Sequence, residues 1–333
     1  MTSLTTSPTE TTDRTARRHR AYVPGVLAIL GCTLVAASAL AACGTTSSSS
    51  GSPGTSTRGT GSGTVIQVVA AENFWGSIAS QLGGDHVHVV SIITNPNTDP
   101  HAYEPTAGDA KVLAESQMVI ENGIGYDPWV PKLLAADQTT STLLDVGSLL
   151  GVPKGGNPHR WYNPADVQRV VQRIVSDYQA LDPAASSSFD ESRTHFDEFG
   201  LAQYNASIAA IKSRYSGTPV GASESIFAML APALGLDLVT PPSFLKAISE
   251  GTDVSAADKE TIDNQIKNRL IKIYVYNSQN VTPDVQTQLA EATAEHIPVA
   301  SITETLEPAD VSYQQWQTRQ LLGIEAALSR SDG

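Results

Sequence analysis

Apolar positions from Val65 onward fall into two alternating patterns. Short β-branched runs, Val65-Ile66-Gln67-Val68-Val69, Val87–Ile93 and Met118-Val119-Ile120, are separated by longer stretches with helical spacing. Short apolar strands interleaved with helices predict parallel strands joined by crossover helices. After Gly217 the alternation resumes, with strand candidates at 218–222, 271–276 and 299–302. Helix candidates there are 226–234, 256–268, 283–295 and 313–329.

Between these halves, residues 164–216 offer two helical stretches and no strand, broken at Asp182-Pro183. The second carries Phe189, Phe196, Phe199, Tyr204, Ile208, Ile211 and Tyr215 at spacings near three, four and seven, so one apolar face runs along it. A helix of about 28 residues reaches about 40 Å, enough to span two lobes. The pattern predicts an α/β protein with an N-terminal lobe at 64–185, a linking helix at 186–216 and a C-terminal lobe at 217–330.

The first 63 residues read differently. Arg14, Arg17, Arg18 and Arg20 precede an apolar run from Tyr22 to Leu40 that closes on Leu40-Ala41-Ala42-Cys43. This is the order of a lipoprotein signal peptide over 1–42, in which Cys43 becomes the lipidated first residue. An uncleaved membrane anchor is the competing reading, and either one exports the body. Residues 43–63 are rich in Ser, Thr and Gly, the composition of a flexible tether. The only other cysteine, Cys32, falls inside the signal, so the mature domain is expected to hold no internal disulfide. Removing 1–42 takes four arginines and two acids, which moves the net charge from −13 to −15. Such acidity argues against a nucleic-acid partner and is compatible with a cationic ligand, and a monomer is expected.

Two of the seven histidines share a setting: Pro100-His101-Ala102-Tyr103-Glu104-Pro105 and Pro158-His159-Arg160-Trp161-Tyr162-Asn163-Pro164. Each is Pro-His-x-aromatic followed by another proline. Prolines fix the backbone beside an imidazole, and an aromatic residue two positions on walls it from water. His101 and His159 are therefore candidate metal ligands, with Tyr103 and Trp161 as their shields, while His86, His88, His195 and His296 lack this framing.

These segments, Asp99 to Pro105 and Asn157 to Trp161, resemble the two histidine signatures of the zinc and manganese solute-binding lipoproteins of ABC importers, the lipoprotein receptor antigen family (cluster A-I). The similarity runs from about Val65 to Leu328. It implies two Rossmann-like lobes joined by a long rigid helix, and a cleft that holds Zn2+ or Mn2+ for an importer's permease and its ATPase. The family's third ligand follows the first strand of the second lobe, where Glu224 stands in Gly221-Ala222-Ser223-Glu224-Ser225. The fourth is usually acidic, yet Tyr274 to Pro283 contains no carboxylate. Asn280 is expected in that place, with Asn277 and Gln279 as close competitors, which would leave a single negative ligand.

Three other functions compete. Gly221-Ala222-Ser223-Glu224-Ser225 begins like a hydrolase nucleophile elbow, but Ser225 replaces the closing glycine and no Asp then His follows at strand ends. A receptor of the same fold for a siderophore or haem would not need both histidine signatures with Glu224. An adhesin or interaction lipoprotein with a vestigial metal site is the main alternative to transport, kept open by the missing fourth carboxylate.

Overall fold

The computed structural model describes residues 65–98, 100–137 and 140–331. The expected signal peptide, Cys43 and the tether lie outside the described residues. Two four-stranded parallel sheets organise the chain. The first has the order β2-β1-β3-β4, from β1 (Ile66–Glu72), β2 (Val87–Ile93), β3 (Met118–Glu121) and β4 (Thr142–Asp145). The second has the order β6-β5-β7-β8, from β5 (Pro219–Ala222), β6 (Asp237–Leu238), β7 (Tyr274–Asn277) and β8 (Val299–Ile302). In each sheet the first strand sends the chain to one side and then to the other, which opens a crevice at the carboxyl ends of the strands.

The helices are α1 (Asn73–Gly83), α2 (Ala107–Ala114), α3 (Trp129–Asp137), α4 (Val146–Leu150), α5 (Pro164–Leu181), α6 (Ser186–His195), α7 (Ala202–Tyr215), α8 (Ser225–Leu234), α9 (Pro242–Ser249), α10 (Ala256–Lys267), α11 (Pro283–Ala294) and α12 (Tyr313–Ser331). Local chemistry sets several ends. Asn163 caps α5 by accepting from the backbone N–H groups of Ala165 and Asp166, with Pro164 in the first turn. Gly235 closes α8 in the left-handed conformation at φ 68°. β1 is buried along its length except at Gln67, as a central parallel strand covered on both faces should be. Its ladder to β2 and β3 is therefore continuous and apolar.

The helix expected at 186–216 forms with one change. Between α6 and α7 the chain makes a π-helical turn, Phe196–Gly200, closed by the Leu201 N–H to Phe196 O bond of 2.8 Å. The extra residue in this wider turn shifts the helical register. Phe196 and Leu201 are buried, whereas Phe199, expected on the apolar face, is 68% exposed. β4 and β6, which the apolar pattern did not indicate, complete the two sheets as edge strands.

α12 returns from the second lobe to the first. Tyr313 donates its N–H to Ser77 Oγ at 2.9 Å and its hydroxyl to Trp161 O at 2.6 Å. Tyr162 in turn donates to Thr303 O and lies 2.9 Å from Gln320 Oε1. These bonds tie the ends of both sheets together, so the loops beyond the strands face one another across a common cleft. Among the described residues, no helix is long and apolar enough to cross a membrane.

Candidate functional site

The cleft encloses about 730 Å³. Ile124, Tyr126, Asn157 and Pro158 line it from the first lobe, and Ser225, Ser249, Asn280 and Glu304 from the second. Among the described residues, His159, Glu224 and Glu304 form one cluster there whose potential ligand atoms all lie within 4.8 Å of one another.

His159 precedes the short turn Arg160–Tyr162, and its side chain is 1% exposed. Nδ1 lies 2.9 Å from Asn157 Oδ1. Nε2 lies 3.6 Å from Glu304 Oε1 and has no hydrogen-bond partner. A buried ring nitrogen without a partner costs free energy unless something occupies its lone pair or takes its proton. Trp161 backs the imidazole edge to face at 5.3 Å and stacks on Phe74 at 3.8 Å, so the ring is held in an aromatic wall.

Glu224 stands two residues beyond the end of β5, at the position before α8, and is 2% exposed. Asn277 Nδ2 donates to its Oε2 at 2.8 Å, and side-chain hydrogen bonds from Asn280 and Ser249 also reach the carboxylate. Burial, reinforced by the Glu304 charge, still pushes its carboxyl up to about 8. Glu304 stands two residues beyond β8, where Tyr126 donates to Oε1 at 2.8 Å. Gln279 holds the backbone of that loop, accepting from the N–H groups of Glu304 and Thr305 at 2.8 and 3.0 Å.

The remaining expected residues are placed as follows. Asn280 directs its amide nitrogen at Ile248 O, 3.2 Å away, and hydrogen-bonds Glu224. Asn277 is fully buried and supports Glu224, while Gln279 supports Glu304. Tyr103 lies apart from the cluster: its hydroxyl donates to Asp109 at 2.8 Å and its ring packs 5.2 Å from Trp129. The backbone turn Pro100–Ala102 follows the cleft-lining segment Pro96–Thr98, and the side chain of His101 lies outside what the structure describes. Glu304 was not among the expected residues. Its signal was a carboxylate two residues past a short strand, the same offset as Glu224.

Behind the cluster, the first sheet's carboxyl ends carry more acid. Glu72 ends β1 fully buried, with Asp127 beside its carboxyl. Burial, then the neighbouring Asp127, raises its carboxyl well above the usual range. Glu121 is pushed up to about 8 by burial and by Asp127 and Asp145. Asp127 reaches only about 6, because backbone N–H groups of Asn122 and Gly123 oppose the effect of burial. The loop between them turns through Gly123, Ile124 and Gly125, all at positive φ. Ile124 at φ 64° is strained for a β-branched residue, a feature typical of backbone shaped around a site.

A family profile described as "ZnuA: Zinc-uptake complex component A periplasmic" matches residues 68–327. The iron-binding protein YfeA of Yersinia pestis is 24% identical over 182 residues, covering 51% of this chain and 57% of that protein. The manganese ABC transporter substrate-binding lipoprotein PsaA of Streptococcus pneumoniae is 28% identical over 153 residues, covering 42% of this chain and 49% of the relative. The chain thus spans about half the length of the curated relatives it matches. In fold it resembles the Mn-bound S38A periplasmic metal-binding protein of Candidatus Liberibacter asiaticus, with a TM-score of 0.67 and 18% identity over 79% of this chain and 99% of the other.

Proposed function

Because the chain belongs to the ZnuA family of metal-binding solute-binding proteins of ABC importers, we propose that it captures one divalent transition-metal ion, zinc or manganese, in the interlobe cleft. It then presents the ion to the importer's permease, from the outer face of the membrane to which Cys43 anchors it. The observation that carries this reading is the buried Nε2 of His159, which makes no hydrogen bond, lies 3.6 Å from Glu304 Oε1 and belongs to one cluster with Glu224 and Glu304.

The ligand set we assign is His159 Nε2, Glu224 and Glu304, completed by His101. Glu304 takes the role expected of Asn280, whose amide nitrogen instead donates to Ile248 O. The site then has two carboxylates, and the reading of a vestigial site loses its main support. Two imidazoles with two carboxylates suit a borderline ion: imidazole favours zinc, iron and nickel, and carboxylate favours manganese. Asn157 orients His159, and Asn277 and Asn280 orient Glu224, as ligands of this kind require.

Elemental analysis of the purified protein after equilibration with equimolar zinc and manganese tests this, with His159→Ala beside the wild type. About one ion per wild-type chain, lost in the variant, is expected. An equal metal content in both proteins would remove the site from this cluster.

A further inference from the structure

The cluster joins ligands from both lobes, so something must fix their separation before an ion arrives. Asn157 touches both sides. Its Oδ1 accepts from the backbone N–H of His159 at 3.1 Å and lies 2.9 Å from His159 Nδ1. Its Nδ2 donates to the backbone carbonyl of Ser225 at 2.7 Å, on the residue that directly follows Glu224.

The partners settle the amide's orientation. A backbone N–H can only donate and a carbonyl only accept, so Oδ1 faces His159 and Nδ2 faces Ser225. Nδ1 of His159 must then carry the proton, which leaves the lone pair on Nε2, the nitrogen that faces Glu304. The Ser225 hydroxyl, 3.3 Å from Nδ1 and 2.7 Å from Ser249 Oγ, is consistent with this when it donates to Ser249 and offers its oxygen to the imidazole.

The loop that leads to His159 is gripped at a second point, where Lys246 on α9 donates to Gly155 O at 3.3 Å. Gly156, between the two contacts, has no room for a side chain: a Cβ there would stand 2.7 Å from Val152 Cγ1 and 3.1 Å from Pro153 O.

We propose that Asn157 is an interlobe positioning residue: one amide sets His159 as an Nε2 donor and ties it to the turn that carries Glu224. Histidine and carboxylate from opposite lobes are thereby presented at a fixed separation in the metal-free protein. This rests on the assignment of the cluster as the metal site, but its central claim is read without metal.

Two variants separate the two contacts. Asn157→Asp keeps an acceptor for the Nδ1 proton and removes the donor to Ser225. Asn157→Ala removes both. Nitrogen-15 imidazole spectra of the metal-free protein at pH 8.5 should show the Nδ1–H tautomer of His159 in the wild type and in Asn157→Asp, and a mixture in Asn157→Ala. Zinc affinity, from competition with a chelator, should fall about 10- to 100-fold in Asn157→Ala, the usual effect of losing such a partner. Asn157→Asp should lose affinity, chiefly through faster release, because its tautomer is intact and its tie to Ser225 is not.

An unchanged tautomer in Asn157→Ala overturns the proposal whatever the zinc result, as does wild-type affinity in Asn157→Asp. A wild type that binds neither zinc nor manganese, with the tautomer shift as expected, sinks the transport reading and leaves the positioning role standing.

Discussion

The affinity of this site should depend steeply on pH, and the structure gives the size of the effect. Glu224 holds its proton up to about pH 8, because its carboxyl is buried and faces the Glu304 charge. An ion must displace that proton to bind. Below pH 8, therefore, each capture releases one proton from Glu224, and the apparent affinity falls tenfold per pH unit, or about 1.4 kcal/mol. From pH 8, where the carboxyl is already half protonated, to pH 6 the loss is about 50-fold. The assay is a zinc competition titration against a chelator whose own pH dependence is calibrated, with calorimetry in two buffers of different ionisation enthalpy to count protons.

The sign in stability is opposite for the metal-free protein. A carboxyl raised on folding leaves the native state with more protons than the unfolded one, so stability falls as pH rises from the ordinary carboxylate range through about 8. Zinc-loaded protein should lack this Glu224 contribution, and Glu224→Gln should abolish both the one-proton release and its share of the slope. A zinc affinity that stays flat between pH 6.5 and 8, with no proton released at pH 7, would refute the reasoning.

Two further pairs of substitutions test the placement of other residues. Glu304→Gln should weaken zinc by more than about 100-fold, since it removes a ligand, whereas Asn280→Ala should stay within the 10- to 100-fold typical of an outer partner; the reverse order in the same competition titration would restore Asn280 as the ligand. Phe199→Ser should change unfolding free energy by no more than about 0.5 kcal/mol, as a surface change does, while Phe196→Ala should cost about 3–5 kcal/mol. Equal effects in chemical denaturation would mean that the helix lacks its π-turn register.

What the sequence disclosed was what short-range patterns encode. The strand and helix alternation followed from β-branched runs, His159 stood out because the residues that frame it are its chain neighbours, and Glu224 came from the family resemblance, which implies a ligand after the first strand of the second lobe. Asn157, two residues before His159, is within the same short motif and meets the imidazole without any long-range contact. Glu304 had no such frame. It joins the cluster only because β8 lies beside β7 in the sheet, with Asn277 opposite Ile302, which brings two distant loops to one level. Phe199 failed for a different reason: an apolar stripe counted at 3.6 residues per turn is carried past its true position by one wider turn.

Glu304 also changes how the site's charge is understood. With Asn280 as ligand, the cleft would hold one carboxylate and a dication would remain half-compensated. With Glu224 and Glu304 together, and Glu72, Glu121 and Asp127 behind them, the carboxyl ends of both sheets concentrate acid in a region of low exposure. Among the described residues, no Lys or Arg forms an ion pair with Glu72, Glu121, Asp127 or Glu224. Burial, reinforced by the neighbouring carboxylates, favours the protonated forms in the metal-free state: Glu121 and Glu224 are pushed up to about 8, and Glu72 is raised well above the usual carboxylate range. A fold selected for stability alone would pair or replace such groups with apolar ones. Their retention at the mouths of two parallel sheets follows if the missing positive charge is the cargo, because the dication then supplies the charge that no Lys or Arg among the described residues provides.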